Sequence, residues 1–355
     1  MREWTALYES KSGERGIFNR QAAQQQAAKY GRRDSSIDYG TNPCSEIILR
    51  PKQFCNLSEA VIRAEDTPET LQRKVELATI LGTIQSCFTD FKGLSRQWMR
   101  NTEEERLLGV SLTGILDNKM MANQTNDNLP ALLSNLRLIA VNTNRKWSKY
   151  LGIEPSAAIT CVKPSGTVSQ LVDAASGIHP RHSEYYIRTV RADKKDPLTK
   201  FMTEKGFPVE DELLKPQSMS VFSFPVKAPK GALTRDKLSA IDHLKVWQVY
   251  SDHWCEHKPS ITVSVQENEW MEVGAYVHKN FSHMSGISFL PMSEHTYKQA
   301  PYQDSTRAEY ESLLKKMPEN IDWHTLSEYE EDDNTHGSQT LNCTGDVCEI
   351  VDLVQ

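Results

Sequence analysis

The stretch "TNPCSEIILRPKQFCNLSE", residues 41–59, sets two cysteines, Cys44 and Cys55, eleven positions apart, with Asn42 two before the first and Glu46 two after it. Pro43 biases Asn42 toward an extended backbone and rules out a regular helix there. In an extended chain residues i, i+2 and i+4 share a face, so the spacing predicts that Asn42, Cys44 and Glu46 point the same way. A thiol between an amide and a carboxylate is a poor metal set, because an amide is a weak ligand. It suits a hydroxylated substrate: the carboxylate moves a proton, the amide holds a hydroxyl, and sulfur does the redox step. A buried cysteine in a polar loop accounts for the spacing equally well.

Working outward, the chain has 355 residues, enough for one large domain or two ordinary ones. Its apolar runs are too short to cross a bilayer and it opens on no signal-peptide pattern, so a cytoplasmic protein with no membrane partner is expected. The net charge of −6 argues against a broad basic surface for nucleic acid and leaves room for a local anion site. Seven cysteines in a chain this long do not make a secreted disulfide framework. Cys87 falls in a helical repeat formed by Leu77, Ile80, Leu81, Ile84 and Phe88, and Cys161 ends the apolar run "AAITCV"; both read as core thiols.

Helical and strand patterns alternate. Helices are expected near 68–91, 129–151 (closed by Gly152), 234–256 and 303–317, and strands near 157–163, 185–191, 220–226, 260–265 and 286–290. This order favours an α/β fold with parallel elements, possibly a barrel. After the strand ending at Cys161, "KPSGTVSQL" reads as a turn that opens a helix. The N–H groups of Gly166, Thr167 and Val168, with the hydroxyls of Ser165, Thr167 and Ser169, would favour an anion there. An ordinary helix cap fits the same residues. Beyond about residue 318 the chain turns acidic and loses periodicity, as a tether would. It ends in "LNCTGDVCEIVDLVQ", where Cys343 and Cys348 enclose a Gly-Asp turn and could exchange electrons as a dithiol. Zinc is the competing reading and has only two thiols to rest on.

"NPCSEI" resembles the finger-loop motif of ribonucleotide reductases. "LYESKSGERGIFNR", "VKPSGTVSQL", "SGIHPRHSEYYIRTVR", "SITVSVQENEWMEVGAYVHKNF" and "SGISFLP" resemble further segments of the adenosylcobalamin-dependent class. The resemblance runs over nearly the whole chain. It implies the carboxy-terminal half of that family's ten-stranded α/β barrel: a catalytic portion over 1–318 with a finger loop at 41–47 and a phosphate turn at 163–169, a flexible acidic linker over 319–340, and a redox tail over 341–355. Adenosylcobalamin is the implied cofactor, ribonucleotides, as triphosphates, the substrate, and thioredoxin or a similar protein the reductant.

By the same resemblance Cys44 carries a thiyl radical, Glu46 takes the 3′-hydroxyl proton, Asn42 binds sugar hydroxyls, and Cys55 is half of the thiol pair oxidised in each turnover. Residues 165–169 hold the substrate phosphates, and Cys343 with Cys348 re-reduces the site. The family places the partner of Cys55 upstream of the finger loop. No cysteine precedes Cys44, so a separate amino-terminal half is an expected partner, with exposed strand edges and poor solubility in its absence.

Three rival readings stand beside this one: a truncated, non-catalytic copy of a reductase, a thiol-disulfide carrier, and a zinc-binding scaffold. His253, Cys255 and His257 in "HWCEH" have the spacing of a metal face, although a helix-to-strand corner explains them more simply and no metal site is expected. Tyr185 and Tyr186 read as strand residues. His179 and His182 are candidates for the border of the substrate site.

Overall fold

The computed structural model describes residues 2–10, 16–125, 128–292, 298–330, 339–344 and 347–352, the last two stretches as backbone. Contacts divide the chain into two units, Met1–Arg181 with Lys230–Met292, and His182–Pro229 with Ser293–Gln355. This cut crosses the 1–318 portion expected from the sequence.

In the first unit, β4 (Asn56–Val61) pairs parallel to β5 (Leu108–Thr113), from Asn56 opposite Leu108 to Val61 opposite Thr113. Val110 bridges in parallel to Thr160, and Val162 to Pro259. The strand begun at Pro259 continues as β9 (Thr262–Val265), parallel to β10 (Ile287–Pro291). Five parallel segments thus lie side by side in chain order, and β1 (Gly16–Ile17) closes the β10 side antiparallel. The described strands form no closed barrel. All six residues of β5 are buried, as in a parallel sheet covered on both faces.

The segment 157–163 makes only bridges because side chains take several of its backbone groups. Trp254 Nε1 donates to Cys161 O at 2.8 Å, and Ile159 N donates to Glu256 Oε2 at 2.9 Å.

Helices join the strands. Thr67 caps α3 (Pro68–Gln85) in a capping box, and Gly152, in the left-handed region, ends α5 (Leu129–Leu151) where the sequence placed it. α4 (Arg96–Glu105) precedes β5 and α8 (Ala240–His253) precedes β9. α1 (Arg2–Ser10) sets Trp4 and Tyr8 against Trp270 of α9 (Trp270–Asn280). Leu108, Val110, Ile159, Val263, Trp247 and Phe289 belong to the continuous core between these layers.

The expected buried face of α3 is overturned. Leu77, Leu81, Ile84 and Phe88 are exposed, as is Cys87, whereas Leu71, Val75, Ala78, Thr79 and Gly82 are buried. Close approach decides this: a Cβ on Gly82 would stand 3.4–3.6 Å from Ser58 and Leu108, so the face of small residues lies against the sheet. The larger apolar stripe is left outward.

The second unit corrects the parallel expectation. β6 (Tyr185–Asp193) pairs antiparallel to β8 (Met219–Lys227), with β7 (Val209–Asp211) on the far side of β8 and β11 (Tyr302–Asp304) on the far side of β6. Tyr185 and Tyr186 are strand residues, as read. α7 (Pro197–Glu204) and α10 (Arg307–Leu314) accompany the sheet. Structure extends past residue 318: Trp323–Glu328 form a 3₁₀ helix, and Phe201 of α7 packs on Trp323 and Tyr329. Of the expected linker, 331–338 lie outside the described residues, as do Gly345–Asp346 and 353–355. β12 (Gln339–Thr344) and β13 (Val347–Asp352) pair antiparallel with Cys343 opposite Cys348.

Candidate active site

Residues 42–47 are the tip of a hairpin between β2 (Gly40–Thr41) and β3 (Ile48–Leu49). The expected extended alternation is corrected here, because the segment turns. Ser45 N donates to Asn42 O at 2.8 Å and Ser45 takes a φ of 67°. Asn42 closes the loop from both sides: its N donates to Ile47 O and its Oδ1 accepts from Ile47 N at 3.0 Å. The amide oxygen therefore builds the loop, and only Nδ2 is left to meet a ligand.

The strand that starts β9 fastens this tip. Ser260 Oγ donates to Cys44 O at 2.6 Å, Lys258 N donates to Glu46 O at 3.2 Å, and Lys258 Nζ donates to Ser45 Oγ at 2.7 Å and to Gly286 O at 2.9 Å. Burial lowers the Lys258 ammonium to about 7, against the pull of the Glu46 charge. A Cβ at Gly286 would stand 2.2 Å from Lys258 Nζ, so the glycine makes room for this contact. Behind the loop, Ile48 N donates to His257 Nδ1 at 3.3 Å and His257 Nε2 pairs with Leu108 O at 3.0 Å, which fixes the tautomer with hydrogen on Nε2.

Cys44 is half-buried. Burial, then the neighbouring Glu46, pushes its thiol above the ordinary range while Lys163 pulls the other way. Glu46 is fully buried: Lys163 Nζ lies 3.2 Å from Oε1, and Oε2 has no hydrogen-bond partner among the described residues. Cys55 is raised by burial first and by Glu46 second. Cys161, fully buried as expected, also feels Glu46 and Cys55. It borders the site's floor: a Cβ at Gly109 would meet Leu57 at 2.4 Å, Ile47 at 3.0 Å and Cys161 Sγ at 3.3 Å.

The turn after Lys163 lies in the same unit. Ser165 is buried with a φ of 57°, and Gly166, Thr167 and Val168 are exposed. Gly177 supports the turn with a φ of 53°, its absent Cβ letting Lys163 O approach; a Cβ there would stand 2.3 Å from that oxygen. α6 (Val168–Leu171) has four residues and thus little dipole, so an anion would rest on local N–H groups. Ser169 is buried and its hydroxyl pairs with Ser176 Oγ at 2.9 Å, with either oxygen able to donate. Glu59 reaches the turn from β4. Burial raises its carboxyl, and the hydroxyls of Ser165 and Thr113 lower it.

The other histidines have structural partners. His253 ends α8 beside Ser134 and His257 bonds backbone, so "HWCEH" is a helix-to-strand corner; the described residues contain no cluster of three metal-binding side chains. His179 Nε2 accepts from Thr262 N at 3.0 Å, which makes it a brace between segments. His182, in the second unit, pairs with Asp304 and stacks on Tyr302.

Burial lowers His243 and His257 to about 3 each. In the unfolded chain both protonate near the ordinary imidazole value of 6.5, so their contribution to stability is complete above that pH and is lost as pH falls toward the folded value. Stability should drop by up to about 3 kcal/mol per pH unit below about pH 6, from two groups at about 1.4 kcal/mol each. Urea midpoints at a series of pH values check this, and a flat profile between pH 6.5 and 5 would contradict it.

Sequence reasoning missed Lys258 and Glu59, set His257 aside as part of a corner, and gave Lys163 no role beyond opening the phosphate turn. Lys163 had a signal, a lone charge in the apolar run "AAITCVKPSG". Lys258 had none, since a lysine after a histidine in a corner is usually solvated.

The fold is that of a B-12 dependent (class II) ribonucleotide reductase, whose crystal structure matches 94% of this chain and 50% of its own with a TM-score of 0.74 at 22% identity. The class Id reductase α subunit of Actinobacillus ureae matches 82% of the chain with a TM-score of 0.54 at 17% identity. In sequence, the chain is similar to the adenosylcobalamin-dependent ribonucleoside-triphosphate reductase of Euglena gracilis, 26% identical over 94% of this chain and 45% of the relative. It is likewise 26% identical to that of Lactobacillus leichmannii, over 96% of this chain and 50% of the relative. No family model matches the chain. The resemblance read from the motifs is borne out, and the chain spans about half the length of the curated relatives it matches.

Proposed function

We propose that this chain reduces ribonucleotides, as triphosphates, to 2′-deoxyribonucleotides through a thiyl radical on Cys44. One observation carries the proposal: a fully buried carboxylate, Glu46, has one oxygen held by Lys163 and the other unpartnered, two residues from a half-exposed thiol at a pinned loop tip.

Adenosylcobalamin fits the thiol. Burial and Glu46 keep Cys44 protonated, and a neutral S–H is the form that can give up a hydrogen atom. When bound, the cofactor supplies the oxidising equivalent at Cys44 Sγ, and Cys44 is the residue that meets it. The remaining roles belong to the protein. Cys44 removes the ribose 3′ hydrogen, Glu46 Oε2 takes the 3′-hydroxyl proton, and Asn42 Nδ2 donates to a sugar hydroxyl. The 2′-hydroxyl leaves as water with a thiol proton, Cys55 and a second thiol supply two electrons and become a disulfide, Glu46 gives its proton back to the 3′ oxygen, and Cys44 returns the hydrogen to C3′. Gly166, Thr167, Val168 and the hydroxyl of Ser165 receive the phosphates. Cys343 and Cys348, opposite one another in the terminal hairpin, return the electrons from thioredoxin or a similar cytoplasmic dithiol.

The five parallel segments are what one half of a ten-stranded barrel presents, and the outward stripe of α3 suits a neighbouring layer. The chain spans about half the length of the relatives it matches, and turnover would draw on elements of the other half, from this polypeptide or a second one.

The test is deoxynucleotide formation from labelled ribonucleoside triphosphate with adenosylcobalamin and a dithiol, by the chain alone and with the missing half of a relative added. Product that disappears on Cys44→Ser is expected with the added half. No product under either condition sinks the reading, and repeated turnover by the chain alone removes the need for a partner.

A further inference from the structure

Lys163 makes the two oxygens of Glu46 different. Its ammonium lies 3.2 Å from Oε1, while Oε2 is buried without a hydrogen-bond partner among the described residues. The backbone of Lys163 is fixed on both sides: its N donates to Ser111 Oγ at 2.8 Å, and its carbonyl lies against Gly177. Its side chain is 34% exposed, so water reaches the ammonium and the pair escapes the full cost of burying two charges. A buried carboxylate oxygen left open in an otherwise bonded site asks for a donor from outside the protein.

We infer that Lys163 is a positioning residue that, by holding Oε1, fixes the Glu46 carboxylate so that Oε2 faces the ribose 3′-hydroxyl as its proton acceptor. This rests on the reading of Cys44 and Glu46 as a ribose site. Around the pair, Lys258 comes from the strand before β9 and touches the loop at Ser45, Glu59 comes from β4, and Cys44, Cys55 and Cys161 are thiols kept neutral by burial. Among the described residues Lys163 is the only one that bonds a carboxylate oxygen of Glu46.

The experiment is equilibrium dialysis of ATP and 3′-deoxy-ATP against the full chain, as wild type, Lys163→Met and Lys163→Arg. A hydrogen bond from the 3′-hydroxyl to a charged acceptor gives the wild type a preference for ATP of about tenfold or more. Methionine should bring that ratio to near one, and arginine should restore it. A lysine with only a structural part would weaken both nucleotides together and leave the ratio alone. An unchanged ratio in Lys163→Met overturns the inference and spares the ribose reading. Wild type that binds neither nucleotide, or both alike, overturns the ribose reading and the inference with it.

A second readout needs no nucleotide. Lys163 and Glu46 act in opposite directions on Cys44, so alkylation of Cys44 by iodoacetamide, followed by peptide mass, should reach its midpoint at higher pH in Lys163→Met. The same midpoint in both proteins counts against the inference.

Discussion

Glutamine at position 46 is expected to slow deoxynucleotide formation by about 10²–10⁴-fold, the range for loss of a positioned proton acceptor. The substitution keeps the size of the side chain and an oxygen for Lys163 to bond at the Oε1 position, 3.2 Å away. It removes only the basic oxygen, whose present counterpart is buried and unpartnered. Lys163 retains water on its exposed side, so the fold should lose little. Single-turnover measurement isolates the chemical step from the re-reduction proposed for the terminal cysteines. A glutamine variant that keeps more than about a tenth of the wild-type rate would rule out Glu46 as the base, and the proposed mechanism would need another acceptor.

The largest effect on stability is expected at a buried ion pair that bonds the second strand of the same hairpin. Arg33 and Glu105 form a two-pronged pair, Nε to Oε1 at 3.1 Å and Nη2 to Oε2 at 2.9 Å, with side chains only 1% and 9% exposed. Arg33 also donates to Ile48 O at 2.9 Å, Gln53 bonds Glu105 Oε2 at 2.5 Å, and Arg50 Nε approaches the same oxygen at 3.5 Å. Alanine at 105 leaves a buried guanidinium without its counter-charge, which costs about 3–5 kcal/mol. Exposed Glu104, which bonds Arg50 at the surface, serves as the control, and its alanine variant should lose no more than about 1 kcal/mol. Urea unfolding of the two variants separates these expectations. Equal losses would mean that the buried pair has no special weight.

The parallel half of the fold was legible because its signals are local. Thr67 with Pro68, and Gly152, mark helix ends by backbone chemistry that needs no knowledge of the rest of the chain. The face of α3 was not legible, since periodicity finds an apolar stripe without saying what lies opposite; the approach of Gly82 to Leu108 chose the other side. Nor could spacing reveal the antiparallel pairing of β6 with β8, because strands of either direction share one pattern. At the site, the residue types at 42, 44 and 46 suggested the chemistry now proposed, while the supposed shared face did not survive. The hairpin turns at Ser45, a conformation that Pro43 alone does not announce.

The loop that carries Cys44 is tied at Cys44, Ser45, Glu46 and Ile48 to Ser260, Lys258 and His257, all on one strand entry. Such a loop cannot act as a lid, since lifting its tip would break those bonds together. The thiol inherits the stiffness of the sheet and has little travel of its own. In the proposed reaction, alignment for hydrogen transfer therefore falls to whatever approaches it. In mechanical terms the sulfur is the anvil of the site, and a reactant held a fraction of an ångström out of place cannot count on the protein to close the gap.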